Sequence, residues 1–282
     1  MAFSQLRPLG IGEILDGAFG IYRRNFTSLF LTALLPQLPI VAVVGAMAAA
    51  GALTGDNAPV LILAVLVPLV LISLVVIVGG VTWQFSRAYT GQPVSTGQAI
   101  RRGAEQVLPL GAALLLVWIL AFLGFFAFMI GMIVMLASLF AVIPAVVLER
   151  RGPLQAISRS WQLISGGWLE VLVIGFVVFM LQSLPSYAMS MGFSLGALIL
   201  GPETTAGKAV YISGQVLSGL SNTLIVPFWL GCKVLLYYDR RVRTEALDVQ
   251  MMTEALNALP GAPVEDVVPA PVPAGRPIPR WG

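Results

Sequence analysis

The chain has 282 residues, 58% hydrophobic and only 10% charged, with a formal net charge of +3, no histidine and one cysteine. A soluble globular domain carries about 25% charged residues, so most of this chain needs the lipid bilayer as its solvent. The missing histidines exclude imidazole acid-base catalysis, histidine-ligated zinc and Ser-His-Asp or Cys-His machinery, and a single cysteine excludes an internal disulfide.

In chain order, the first element is amphipathic. Ile11, Ile14, Leu15, Ala18, Phe19, Tyr22 and Phe26 share one helical face, with Glu13, Asp16, Arg23 and Arg24 away from it, which predicts a helix over 11–26. Ala46, Ala48 and Ala50 resemble a signal-peptide cleavage site, but the acidic segment before them is too long for an n-region. Five stretches between consecutive charges, 25–55, 57–86, 106–148, 171–202 and 209–232, are long enough to cross a hydrocarbon core of about 30 Å. As one helix, 106–148 would be about 65 Å long. It is therefore expected to be two spans, turning near 124–131, with a re-entrant hairpin as the alternative. The predicted spans are 27–53, 59–83, 107–126, 128–148, 170–198 and 209–236.

Two further short helices are predicted between spans. The segment 96–106, capped by Ser95 or Thr96, carries a stripe of Ile100, Ala104, Val107 and Leu108; in 153–168, Leu154, Ile157, Trp161, Ile164 and Trp168 step by three and four. Gln98-Ala99-Ile100-Arg101-Arg102 parallels Gln155-Ala156-Ile157-Ser158-Arg159, which suggests one element used repeatedly. Such helices either lie in the headgroup layer, apolar face down and arginines toward anionic lipid, or pack on their own bundle. After the last span a helix over 239–259 is expected, with Val242, Val249, Met252, Leu256 and Leu259 on one side. The tail 260–282, with seven prolines, reads as disordered. Residues 1–259 form the membrane domain in this reading.

With six spans, 15 of the 16 lysines and arginines fall on one side and only Lys208 on the other. The positive-inside tendency makes that side, with both termini, cytoplasmic. The candidates for contact with lipid or a partner are Arg23, Arg24, Arg101, Arg102, Arg159, Trp161, Trp168, Tyr237, Tyr238, Arg240, Arg241 and Arg243. Lys233 is expected to snorkel to the headgroups as an anchor, and Cys232 to be a small packed residue. No ionisable residue is expected at mid-depth. The polar candidates there are Gln37, Gln182, Gln215 and Asn222, near Pro36, Pro39, Pro185 and Pro227, with Pro68 and Pro144 as further breaks; their commonest role is a bond to a neighbouring helix. Gly45, Ala49 and Gly175 have small-residue packing spacing.

Three stretches, 6–26 (LRPLGIGEILDGAFGIYRRNF), 144–174 (PAVVLERRGPLQAISRSWQLISGGWLEVLVI) and 235–252 (LLYYDRRVRTEALDVQMM), resemble the membrane domain found with bacterial glycerophosphoryl diester phosphodiesterases. The resemblance implies a bacterial plasma-membrane protein of about six helices. In two-domain members a separate barrel performs the hydrolysis with histidine and metal-binding carboxylates. This chain has no histidine and no room for a barrel of about 250 residues, so no phosphodiesterase activity is expected to carry over.

The expectation is an all-α, polytopic helix bundle without cofactor or nucleic-acid partner. Its role is that of a non-enzymatic scaffold or accessory subunit, offering a basic face to anionic headgroups or to a membrane or cytoplasmic protein. The alternative is a passive carrier or channel for a small or lipid-like solute. A headgroup hydrolase would require Glu13, Asp16, Glu149 and Asp239 to converge on a metal.

Overall fold

The computed structural model describes residues 9–50, 57–126, 128–164 and 167–245, the side chains of 128–131 excepted. Within these residues all regular structure is helical: α1 (Ile11–Arg24), α2 (Phe26–Leu34), α3 (Leu38–Ala49), α4 (Ala58–Leu61), α5 (Val67–Tyr89), α6 (Thr96–Glu105), α7 (Val107–Phe126), α8 (Phe128–Ser138), α9 (Val142–Glu149), α10 (Pro153–Ile164), α11 (Trp168–Leu200) and α12 (Thr205–Glu245). Among the described residues six helical runs are long and apolar enough to cross a bilayer: Phe26–Ala49, Ala58–Tyr89, Val107–Phe126, Met132–Glu149, Trp168–Leu200 and Thr205–Glu245. The chain is thus an all-α, multi-pass membrane protein. The turn expected near 124–131 falls in part on residue 127, which lies outside the described residues, as do the segment expected as a helix beyond 245 and the proline-rich tail.

Proline shapes the spans because it lacks an N–H. Pro36 sits in a 3-10 turn, Leu35–Gln37, that joins α2 to α3, and a π-helical segment, Ile62–Leu66, precedes Pro68. Pro185 and Pro227 are absorbed within continuous helices. The fourth span, expected unbroken over 128–148, is interrupted between α8 and α9. There Ser160 of α10 donates from Oγ to the Ser138 carbonyl (2.6 Å) and accepts from the Ala141 N–H (3.0 Å), satisfying backbone that the break leaves open.

The last helix corrects the expected boundary at 236–239. It continues unbroken for 41 residues, about 61 Å at 1.5 Å per residue, twice the hydrocarbon thickness. Its surplus length is covered by protein. The Leu9 N–H bonds Asp239 Oδ1 (2.7 Å) at one end of α1, and Tyr22 Oη donates to the Leu224 carbonyl (2.7 Å) at the other, so α1 runs antiparallel along α12. In the same way α6 lies along α5. A Cβ at Gly103 would come within 2.2 Å of the Val76 carbonyl oxygen, and one at Gly80 within 2.8 Å of that of Ala99, so these helices meet backbone to backbone.

Of the two readings of the amphipathic helices, packing on the bundle describes their apolar faces. Ile14, Ala18, Ala99, Ala156, Leu163 and Ile164 are buried against the spans. Ala99 and Ala156, equivalent in the repeated Gln-Ala-Ile motif, are both 0% exposed. The headgroup-layer reading keeps only a rim: Phe19, Phe26, Leu154, Trp161 and Trp168 remain exposed. Ser95 makes no capping bond, and the Thr96 hydroxyl pairs with Ser28 Oγ (2.8 Å), which also receives Gln84 Nε2 (2.6 Å). The core concentrates where α1, α6, α9 and α10 sheathe α5 and α12, around Phe85, Leu110, Ile174, Leu230, Leu235 and Tyr237. Away from it Trp118, Phe122, Phe176, Leu184 and Ile199 face outward, as lipid contact requires.

The predicted small-residue contacts are displaced. A Cβ at Gly45 or Gly175 would meet nothing within 4 Å, whereas one at Gly231 would lie 2.2 Å from the Phe85 ring and one at Gly214 2.3 Å from Phe193 Cβ.

Candidate functional site

Docking of α6 on α5 sets out a row of cationic side chains. Arg102 and Glu105 line two neighbouring grooves. One, about 260 Å³, continues over Gln106, Pro109 and Val146 to Arg150 and Arg151; the other, about 450 Å³, over Gln98 and Arg101 to Trp83 and Arg87. Five arginines against one glutamate line the pair, a formal charge of +4 for the lining, with Arg151 also paired to Glu149 behind it.

Local structure fixes these guanidinium groups. Glu105 accepts from Arg101 Nε (3.0 Å) and Arg102 Nη1 (3.3 Å), one helical turn away. Arg87 lies over the Trp83 ring, 4.9 Å from its centroid, and donates to the Pro93 carbonyl (3.2 Å). Arg150 ends α9 in the left-handed region (φ 53°), a conformation that costs a side-chain-bearing residue roughly 1–2 kcal/mol. Gln106 Nε2 reaches the Val147 carbonyl (3.3 Å) and ties the start of α7 to α9, while its Oε1 is buried without a partner. Arginine forks match the oxygens of phosphate and carboxylate groups. The grooves are suited to hold such an anion.

Arg159, Arg240, Arg241 and Arg243 belong to a second constellation, built of ion pairs. Glu149 receives Arg159 (Nη2, 3.0 Å), Arg151 and the Tyr237 hydroxyl; Glu245 receives Arg159 (Nη2, 2.8 Å) and Arg241 (Nε, 3.0 Å). These bonds, first that to Glu245, hold the Arg159 guanidinium pKa above its ordinary value against the opposing effect of burial. Arg240, nearly buried, donates to Glu170 and to the Gly167 carbonyl (3.3 Å). Arg243 grips Asp239 (2.9 Å) and the Leu9 carbonyl (2.8 Å). Arg159, Arg240 and Arg241 are therefore bundle-internal ion-pair residues, a correction to their expected lipid contact, whereas Arg243 pairs with Asp239 and stays exposed. Tyr237 is buried, and Tyr238 shares a hydrogen bond with Ser86 (2.8 Å). Arg23, Arg24, Arg101 and Arg102 stay exposed or half-exposed, as do Trp161 and Trp168.

Lys233 also departs from expectation. Its ammonium sits over Phe140 (4.7 Å) and Trp229 (4.6 Å), inside the helix packing. The four carboxylates do not converge: Glu13 accepts from the Gly10 N–H (2.9 Å), Asp16 is exposed, and Glu149 and Asp239 are held by arginine. Among the described residues no group of three potential ligands is placed to hold a metal.

The polar residues of the spans separate. Gln37 Nε2 bonds Thr223 Oγ1 (3.0 Å) and the Ala33 carbonyl (2.8 Å), joining the first span to the last. Gln215 is exposed. Gln182 donates to Asn222 Oδ1 (3.2 Å), and both line a groove of about 350 Å³ between α11 and α12.

Sequence reasoning placed Arg101 and Arg102 at the site but not Trp83, Arg87, Arg150 or Arg151. The four-residue step from Trp83 to Arg87 was an available signal for stacking on a helix. Nothing in the sequence marks the approach of Arg150 and Arg151 to α6.

Residues 93–240, more than half of the chain, match a family described as a domain of unknown function (DUF7847). No curated protein and no solved structure matches the chain.

Proposed function

We propose that this chain, which belongs to the DUF7847 family, is a non-enzymatic membrane scaffold or accessory subunit that holds anionic lipid headgroups in its arginine-lined grooves. The observation that carries the reading is the +4 charge gathered on grooves of about 260 and 450 Å³. Basic residues at a membrane surface each gain about 1 kcal/mol from anionic lipid. The ion pairs of the second constellation support the scaffold half of the reading. The three stretches that resemble the phosphodiesterase membrane domain meet there, through Leu9 with Asp239 and Arg243, and through Glu149 and Arg159 with Tyr237 and Glu245. The same resemblance and the one-sided distribution of cations support a bacterial cell membrane with both termini cytoplasmic.

The test uses the full chain in nanodiscs containing phosphatidylglycerol and phosphatidylcholine, with retained lipids read by native mass spectrometry. The wild type is expected to retain phosphatidylglycerol preferentially, and R101Q/R102Q/R150Q/R151Q to lose that preference. Equal retention of both lipids by the wild type, or an undiminished preference in the variant, refutes the reading. Reporters fused to either terminus check the orientation.

A further inference from the structure

The groove between α11 and α12 is unlike the rest of the lipid-facing surface. It is lined by Gln182, Ser183, Ser186, Ser190, Ser218 and Asn222, with Tyr187 at its side, and none of these carries a charge. Counted from the end of α11 at Leu200, Ser190 and Gln182 lie about 15 and 27 Å along the helix at 1.5 Å per residue. The groove therefore lies along the middle of this 33-residue helix, and polar side chains in the apolar part of a span are costly.

Its hydrogen bonding is incomplete. Ser218 is only 9% exposed, and its hydroxyl has no partner; the hydroxyl of Ser186 has none either. Pro185 has no N–H to offer the carbonyl of Leu181. The other end is closed by the bond from Gln182 to Asn222, whose Nδ2 in turn donates to the Ser218 carbonyl (3.3 Å). A packed helix pair would cancel buried hydroxyls against each other; this one leaves donors and acceptors beside a space of about 350 Å³.

We propose that this groove binds an uncharged group bearing several hydroxyl or carbonyl oxygens, about the size of one hexose ring. At about 30 Å³ per water, the space holds on the order of a dozen water-sized groups. Neutral lining selects against ions, because a charge buried without a counter-charge is strongly disfavoured. Ser186 and Ser218 give the ligand its hydrogen bonds, and Ser190 and Tyr187 form the side facing lipid.

Two sources carry this chemistry, a lipid headgroup and a dissolved sugar. Purified full-length protein in phosphatidylcholine nanodiscs is titrated with a short-chain glucosyl lipid, with phosphatidylcholine of the same chain length, and with glucose as competitor, and adducts are counted by native mass spectrometry. The glucosyl lipid is expected to bind in preference to phosphatidylcholine. S186A/S218A, which keeps the helix, is expected to weaken it by about tenfold, and S190L, which fills the groove from the lipid side, to abolish it. Competition by glucose assigns a dissolved ligand; its absence assigns a lipid-borne one. Binding no better than phosphatidylcholine, or equal binding by wild type, S186A/S218A and S190L, overturns the proposal. R102Q/R151Q, which tests the arginine grooves, is expected to leave glucosyl-lipid binding unchanged, and loss of binding in that variant also overturns it.

Discussion

Replacing Gly103 by alanine tests the joint between fold and site. The new Cβ would stand 2.2 Å from the Val76 carbonyl oxygen and 2.9 Å from the Gly80 nitrogen, where ordinary contact begins at 3.4 Å, so α6 must retreat by about 1.2 Å. The opposing atoms are backbone and cannot rotate away. Overpacking of this kind costs about 1–3 kcal/mol, while alanine gains up to about 1 kcal/mol over glycine in a helix interior. Gly97→Ala, on the same helix with nothing within 4 Å of its added carbon, supplies the control. The two variants should differ by about 2 kcal/mol in stability, or roughly 4–8 °C in the thermal unfolding midpoint in detergent. Since α6 carries Arg101, Arg102 and Glu105, G103A should also weaken retention of anionic lipid while G97A does not. A G103A protein that melts at or above G97A would refute the backbone-to-backbone docking.

Arg159→Ala leaves Glu149 and Glu245 without their shared guanidinium and should cost about 2 kcal/mol in denaturant unfolding; a double-mutant cycle with Glu245→Gln should show coupling, and strict additivity would count against the pair. Arg150→Gly should move two measurements in opposite directions. Relief of the positive φ is expected to raise stability by up to about 1 kcal/mol, and loss of the cation to weaken anionic-lipid retention; a fall in both would contradict the strain argument. Gly231→Ala drives a methyl into the Phe85 ring and should lower the unfolding midpoint by the equivalent of about 1–3 kcal/mol. Phe85→Leu in the same protein should recover part of that loss, and no recovery would place the strain elsewhere.

The helical class and six spans were legible because solvent imposes them: uncharged stretches of bilayer length leave few other solutions. The positions of α1, α6 and α10 were legible from periodicity, but what their apolar faces touch was not. A stripe such as Ile14 and Ala18 states that something apolar covers it and does not distinguish lipid from α12. The roles of the arginines divided on the same point. Arg102 and Arg159 occupy the same place in the repeated motif, yet one side chain is 41% exposed and the other 12%, because Glu149, and Glu245 from a distant part of the chain, arrive beside Arg159. The polar groove was half legible: Gln182 and Asn222 stood out as amides in apolar runs, whereas serines spaced along α11 carry little weight until Ser218 of α12 is placed opposite.

The pairing of α1 with α12 has a consequence for biosynthesis. Leu9 and Asp239 are separated by 230 positions, so at about 5–20 residues per second the first helix waits roughly 10–50 s for its partner to be made. During that interval its apolar stripe has no protein to rest on, and the membrane surface is the nearest apolar shelter. The native docking of α1 thus has to follow the synthesis of α12.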